Sequence, residues 1–226
     1  ANLVGEDESV DTIDVFNRVS GWGGTSRGTR LSALGMMGEV PLVRRRGRLA
    51  RRSPSPFPMR FRNPENGRVE VAVPFPGGEA LHLFRTRPHV KNVTTNLVLP
   101  TAVAEAAMLV WTLRPILNQL KQSSLMERLV RRAGSGSEGP SEDARRSQRF
   151  QVLARGRGPG GERFLVVNGR DAYGITGRIV AVGAKRLLED GPLVTGVTST
   201  DQAFGAARFL NELAPYGVSV RTHGPR

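Results

Sequence analysis

The amino-acid sequence predicts an α+β fold, in which helices flank a mainly antiparallel, mixed sheet. Runs in which apolar and polar residues alternate, typical of strands with one buried face, dominate both ends of the chain. Between these ends, residues 101–132 carry apolar side chains at helical spacing, and two more helical patterns lie near the C-terminus. We expect the 226 residues to form a single domain.

The N-terminal part of the chain predicts a strand, a glycine-rich turn, a helix and a hairpin. Thr25 or Ser26 has the chemistry of a helix cap, and Gly38 is suited to end the helix. Arg46 and Gly47 predict the turn of the hairpin. The expected bounds are residues 10–20 for the strand, 21–29 for the turn, 25–38 for the helix and 40–50 for the hairpin.

The middle of the chain predicts a proline-rich connection, a second hairpin, a strand and a long helix. The run Pro76-Gly77-Gly78 is typical of a hairpin turn. Pro115 inside the long helix predicts a kink or a division into two helices. The expected bounds are 53–66 for the connection, 68–74 and 79–84 for the hairpin strands, 90–99 for the next strand and 101–132 for the helix.

The C-terminal part predicts a flexible loop, a third hairpin, two helices and a last strand. The loop is indicated by its glycine, serine and acidic composition. The expected bounds are about 133–147 for the loop, 150–154 and 163–167 for the hairpin strands, 173–189 and 200–213 for the helices, and 217–221 for the strand.

Composition indicates a bacterial cytoplasmic protein. The chain has no cysteine, so disulfides are excluded. It carries no secretory signal and no apolar run of the roughly 20 residues that span a bilayer. Because the first residue is Ala1 and not methionine, we interpret the sequence as a processed or excised piece of a longer protein.

The net charge of +13 raises the question of a nucleic-acid partner, since phosphates bind clustered Lys and Arg. Only three of the 33 basic residues are lysines, and the arginines are mostly dispersed, as a GC-rich genome produces without selection for binding. The exception is the hairpin with Arg44, Arg45, Arg46 and Arg48. We favour a solvated basic hairpin there, so nucleic acid is an unlikely partner. A non-catalytic binding or assembly module with a basic surface stays open as the alternative function.

Four segments, taken in order, resemble saccharopine dehydrogenase-like oxidoreductases. They are residues 23–29, 42–49, 171–176 and 196–204. In that family a Rossmann domain binds NAD(P), and a second α+β domain closes the substrate cleft and often mediates dimerisation. The chain is similar to that second domain. The resemblance therefore implies a substrate-binding and dimerisation domain, inactive by itself, which binds no cofactor alone and needs a nucleotide-binding domain in cis or in trans.

The glycine turn and the start of the first C-terminal helix are the expected substrate site. Backbone amides of the turn, with Arg27 beside them, have the chemistry to hold a small-molecule carboxylate. The alternative is a tight turn that only caps a helix, with Tyr173 packed beneath a cap at Asp171. The candidate substrate-binding residues are Gly23, Gly24, Thr25, Ser26, Arg27, Thr29, His89, Tyr173 and Thr176.

No residue is assigned a catalytic role, and no metal site is expected. The histidines His82, His89 and His223 lack metal-ligand spacing, and His89 is the better candidate proton carrier. The glycines of residues 156–161 superficially resemble a dinucleotide-binding turn. They lie between two strands that are too close for a crossover helix, so we predict a hairpin turn and no cofactor site there.

The C-terminal helices carry apolar residues that, in the related enzymes, would pack against the nucleotide domain. Without that domain we expect these side chains to be partly uncovered, and therefore expect a homodimer that hides them. The residues are Ile175, Ile179, Val182, Ala203, Phe204, Ala207 and Phe209.

Overall fold

The computed structural model describes residues 9–21, 26–36, 39–52, 57–119, 135 and 139–224. These residues form one mixed sheet with helices packed against it. The strands are β1 (Thr12–Ser20), β2 (Leu42–Arg45), β3 (Arg48–Arg51), β4 (Met59–Arg62), β5 (Val69–Pro74), β6 (Asn92–Leu99), β7 (Arg149–Gly158), β8 (Gly161–Arg170) and β9 (Ser219–His223). The helices are α1 (Arg27–Met36), α2 (Glu79–Thr86), α3 (Thr101–Gln119), α4 (Glu142–Ser147), α5 (Ala172–Glu189), α6 (Thr200–Phe204) and α7 (Ala206–Glu212).

The sheet has the strand order β3-β2-β6-β1-β7-β8-β9. Strand β1 lies at its centre, parallel to β6 and antiparallel to β7. Among the strands that the structure describes, β1–β6 is the parallel pair and the remaining pairs are antiparallel. The predicted α+β fold with a mainly antiparallel, mixed sheet is therefore confirmed.

Two hairpins pair with the side of β6 that faces away from β1. The beginning of β6 pairs with β2, where Val93 lies opposite Arg44, and its end pairs with β5. Strand β4, which pairs with β5, lies within the connection that the prolines predicted to be merely extended. Phe61 of β4 is buried, and its ring stacks on that of Phe16 of β1 at 3.9 Å. The β4–β5 hairpin thus covers one face of the central strand.

The prediction of a strand at residues 79–84 is wrong, because Glu79–Thr86 is the helix α2. Six residues are too few for alternation to distinguish a strand from a helix. Ala80 and Leu83, three apart, are the buried residues of α2 and pack on the core formed by β1 and β6. Burial of this one helical face against Val93 decides the local conformation.

The C-terminal helices pack on β7 and β8 through part of the apolar set expected to be uncovered, while Ile179 and Ala207 of that set are exposed. Ile175 and Phe209 are buried and pack with Phe150 and Val167 of the sheet. Ala203 is buried too, so part of the apolar set expected to face a missing domain belongs to this chain's own core. The helix predicted at residues 200–213 is divided into α6 and α7 at Gly205, whose φ of 74° favours glycine.

Two helices in the middle of the chain differ from their predicted form. The end of the segment predicted as a loop forms α4, capped by the Ser141 hydroxyl, which accepts a hydrogen bond from the amide of Ala144 at 3.3 Å. Helix α3 continues past Pro115 to Gln119, and the rest of the predicted long helix lies outside the described residues. Within the described ranges, none of the helices combines the length and apolar character needed to cross a bilayer.

An ion pair joins α2 to the C-terminal helices. Nε2 of His82 lies 3.0 Å from the carboxylate of Asp201, which also accepts a hydrogen bond from the hydroxyl of Ser199. Partial burial of this carboxylate favours its protonated form. The hydrogen bond from Ser199 and the charge of His82 outweigh that effect and lower the pKa of Asp201.

Replacing Asp201 by asparagine should lower the free energy of unfolding by about 1 kcal/mol at neutral pH. Folding lowers the pKa of Asp201. The stabilisation by its carboxylate is therefore present above the unfolded pKa of about 3.9 and is lost as the pH falls through the folded pKa. Urea unfolding at neutral pH and at a pH below the unfolded carboxyl pKa of about 3.9 checks it. The difference in unfolding free energy between wild type and Asp201→Asn should be smaller at the lower pH, where the carboxylate becomes protonated, and an equal difference at both pH values would contradict the role of this carboxylate.

Candidate functional site

The helices α1 and α5 begin at the same edge of the sheet. Strand β1 ends there at Ser20, which pairs with Arg149, and β8 ends there at Arg170, which also pairs with Arg149. Both helices follow these strand ends closely in the chain. Two segments far apart in sequence are therefore brought side by side by the sheet.

Three hydroxyl groups meet between these helix ends, and we call Ser26, Thr29 and Tyr173 the hydroxyl cluster. The phenol oxygen of Tyr173 accepts a hydrogen bond from the backbone amide of Ser26 at 2.8 Å. It also lies 3.1 Å from Oγ1 of Thr29, which in turn lies 2.9 Å from Oγ of Ser26. The Ser26 hydroxyl accepts from the Thr29 amide and so caps α1.

The position of Tyr173 is set by an unusual cap on α5. Asp171 lies at the N-cap with a φ of 47°, in the left-handed region, and its carboxylate accepts from the amide of Gly174 at 2.9 Å. A Cβ at Gly174 would lie 2.2 Å from this carboxylate, so a larger residue there would displace the capping group. A conformation of this kind costs free energy and persists only when its surroundings hold it.

The hydroxyl cluster changes the acidity of the tyrosine. Partial burial of the phenol opposes its ionisation. Hydrogen bonds from Ser26 and Thr29, together with the positive charge of Arg30, outweigh burial and hold the pKa of Tyr173 below its usual value of about 10. The arrangement therefore makes Tyr173 a better proton donor than an isolated tyrosine and places it beside two further hydroxyls.

Replacing Thr29 by valine should raise the pKa of Tyr173 towards its ordinary value, because a hydrogen-bond partner of the phenol is lost. The chain has two tyrosines, so the Tyr216→Phe variant leaves Tyr173 as the single phenol. Ultraviolet absorbance of the phenolate against pH then reports its titration. Thr176→Val is the matched control, since the Thr176 hydroxyl donates to the carbonyl of Ala172. A phenol that titrates alike in both variants would contradict the assignment.

The other predicted site residues are distributed as follows. Arg27 lies in the first turn of α1 with an exposed side chain, beside the cluster in sequence but without a hydrogen bond to it. Thr176 is exposed, one turn along α5. His89 lies just before β6, whose first residue Asn92 pairs with Thr12 at the opposite end of β1. Gly23, Gly24 and Thr25 lie outside the described residues.

His89 therefore does not belong to the hydroxyl cluster. A nine-residue strand such as β1 is about 26 Å long, and His89 and Tyr173 lie near its two ends. The glycine run at residues 156–161 closes the β7–β8 hairpin, as the sequence predicted, with Pro159 and Gly160 in the turn and its other residues paired in the two strands. In the described ranges, no three His, Asp or Glu side chains are grouped so that they could hold a metal ion.

A second polar centre was not identified from the sequence. It lies on the face of β1 that also carries the buried side chain of Phe16. Asp14 is buried there, and its carboxylate accepts hydrogen bonds from Arg155 at 2.8 Å, from Arg157 at 3.0 Å and from the Thr94 hydroxyl at 2.6 Å. The signal was present, since a charged residue two positions from Phe16 in an alternating strand must share its face. Its arginine partners are more than 140 residues away and Thr94 is 80 residues away, so only the fold identifies them.

A family model described as "Family of unknown function (DUF5938)" matches residues 1–222, so the chain belongs to that family. No curated protein matches the chain.

Proposed function

We propose that this chain is the substrate-binding and dimerisation domain of a cytoplasmic, saccharopine dehydrogenase-like NAD(P)-dependent oxidoreductase. The hydroxyl cluster is the observation that carries the proposal. Ser26 and Tyr173 are 147 residues apart in the chain, and each was expected at the substrate site from a different segment of the resemblance. Their direct hydrogen bond supports a shared site at the edge of the sheet.

The cluster suits recognition of a small polar substrate. Tyr173 can donate a proton to a substrate oxygen, and its lowered pKa makes this donation easier. The backbone amides at the start of α1 favour a negatively charged group such as a carboxylate. Arg27 and Arg30, in the first turn of α1, add positive charge on the same side. These residues bind and orient the substrate.

The cofactor belongs to a separate nucleotide-binding domain, in cis or in trans. When bound, NAD(P) supplies the hydride, which is the difficult part of the chemistry. The described part of the chain does not fit a dinucleotide, because its strands are mainly antiparallel and its glycine run forms a hairpin turn. The chain alone is therefore proposed to be inactive.

The two-domain proposal is tested by calorimetric titration of the chain with NADH and with NADPH. We expect no binding in the micromolar range for either cofactor, because the phosphate cradle of a Rossmann fold is supplied elsewhere. Adding the nucleotide-binding domain should restore micromolar binding. Micromolar binding by the chain alone would overturn the proposal.

The outer face of α5 is proposed as the dimer interface with a second copy of the chain. Val180, Leu187 and Leu188 are exposed on this helix, Leu188 to 88 %. Leu193, Val194 and Val197, in the loop that follows, are exposed as well. An apolar surface of this kind is usually covered by a partner, and a symmetric dimer is the commonest way to cover it.

Leu188→Glu should convert the homodimer into a monomer, because it places charge within an apolar contact. Light scattering at micromolar concentration measures the mass, and Glu189→Gln on the same helix is the control. A wild-type chain that is already monomeric would contradict the dimer.

The alternative function, a non-catalytic module with a basic surface, is supported by the β2–β3 hairpin. Arg45, Arg46, Arg48 and Arg51 are all exposed there. Filter binding of a DNA oligonucleotide over a salt series tests this function. A module that contacts several phosphates should lose about 0.9 log unit of affinity per log unit of salt for each contact.

A further inference from the structure

A cavity of about 420 Å³ opens beside the first half of β1, on the sheet face opposite α2. It lies at the other end of β1 from the hydroxyl cluster. Strands β1, β2 and β6 form its floor, Met59 of β4 lines one wall, and Arg51 and Arg52 lie at the end of β3. Its volume is within the range of pockets that bind small molecules.

The lining of this cavity is strongly cationic. Arg45, Arg52 and Arg157 have side chains on this face of the sheet, and Asp14 is the acidic residue among its lining residues. Arg44 and Arg51 also border the cavity, but their side chains belong to the opposite face: Arg44 donates to the backbone carbonyls of Leu83, Arg87 and Pro88, and Arg51 is two positions after Leu49, which packs on the α2 side.

Asp14 does not neutralise this charge. Its carboxylate already binds Arg155, which lies outside the cavity lining, in addition to Arg157 and Thr94. One negative charge therefore serves two arginines before Arg45 and Arg52 are counted.

The remaining guanidinium groups have donors to spare. Arg45 makes no side-chain hydrogen bond or ion pair with any residue in the described ranges. Arg52 uses one nitrogen to donate to the amide oxygen of Asn96 at 2.9 Å. Burial lowers the pKa of Arg52, because its charge is poorly solvated.

We propose that this cavity binds a small organic molecule through a phosphate group. Several arginines around one space repel one another, and an anion between them removes that cost. A phosphate carries close to two negative charges and offers acceptor oxygens in several directions, which suits guanidinium groups from Arg45, Arg52 and Arg157 better than a single carboxylate does. Val43 and Met59 give the cavity an apolar part that can contact the organic portion.

Calorimetric titration with inorganic phosphate and with glycerol 3-phosphate, in a buffer free of phosphate and sulfate, tests the proposal. We expect both to bind, and glycerol 3-phosphate more tightly because the cavity is larger than one phosphate. Arg52→Gln and Arg45→Gln should each weaken binding about tenfold or more, because each removes a charge-assisted hydrogen bond. Arg45 is exposed, so its variant tests the site even if Arg52→Gln unfolds the chain.

Arg85→Gln is the matched control, because Arg85 is an exposed arginine on α2, across the sheet from the cavity. Equal weakening by this control, or no binding of either phosphate, would overturn the proposal. Binding of a DNA oligonucleotide that Arg45→Gln abolishes, without binding of glycerol 3-phosphate, would also overturn it and favour the basic-surface function. The result is independent of the NADH titration, so the two proposals can fail separately.

Discussion

Replacing Asp14 by alanine should lower the free energy of unfolding by about 3–5 kcal/mol, because it leaves buried positive charge without its counter-ion. The side chain of Arg155 is 14 % exposed and lies 2.8 Å from Asp14, while its other acidic neighbour, Glu162, is 3.7 Å away and half exposed. The Thr94 hydroxyl would lose its acceptor as well. Urea unfolding at neutral pH, followed by circular dichroism, measures the change.

The controls for this prediction separate charge from shape. Asp14→Asn keeps the volume and an acceptor for Thr94 but removes the charge, so its loss should be smaller than that of alanine. Asp143→Ala removes a carboxylate that is 95 % exposed and should change stability by less than about 0.5 kcal/mol. If Asp14→Ala behaved like Asp143→Ala, the buried ion-pair network would not exist in solution.

Replacing Phe61 by alanine should cost about 3–5 kcal/mol of stability, as expected for a large side chain removed from a packed core. Phe61 is 3 % exposed and stacks on Phe16, which is fully buried. The same core includes Leu153 and Val166 of the neighbouring strands. Because Phe61 is the main apolar contribution of β4 to this core, its loss should also loosen the β4–β5 hairpin. Thermal or urea unfolding measures the stability, and proteolysis near residue 57 reports the hairpin.

Phe57 supplies the matched control, since it is the same residue type four positions earlier and is 77 % exposed. Phe57→Ala should change the unfolding free energy by less than about 1 kcal/mol. Equal losses at the two positions would mean that β4 does not pack over the central strand.

Local pattern was sufficient for most elements of this fold. Apolar and polar residues alternate over several positions in β1 and in the β7–β8 hairpin, and this pattern predicted both. Turn residues located the bends at Arg46-Gly47 and Pro159-Gly160. These elements were predictable because their hydrogen bonds connect residues close in sequence, or because their apolar face repeats with a clear period.

The errors occurred where a distant partner decides the conformation. Residues 79–84 alternate like a strand but form α2, because the sheet offers an apolar surface for Ala80 and Leu83. Prolines before Met59 concealed β4, whose register is set by pairing with β5. The break at Gly205 was also missed, since a single glycine does not reveal that the chain must turn there to cover β8.

The residues of the candidate site were also predicted only in part from the sequence. Ser26, Thr29 and Tyr173 were singled out from two separate segments, and the structure joins them by hydrogen bonds. His89, assigned to the same site, lies near the opposite end of β1. Sequence position alone could not show this, because the parallel pairing of β1 with β6 determines at which end of the sheet His89 lies.

By itself, the sequence determined the fold class and the sites of most strands and helices, since periodicity and turn residues act over a few neighbouring positions. The tertiary structure alone decided which polar residues meet: the hydroxyls of α1 with the phenol of α5, and Asp14 with arginines of β7. Such contacts depend on strand order and register, which arise from the packing of the whole chain and leave no local pattern to read.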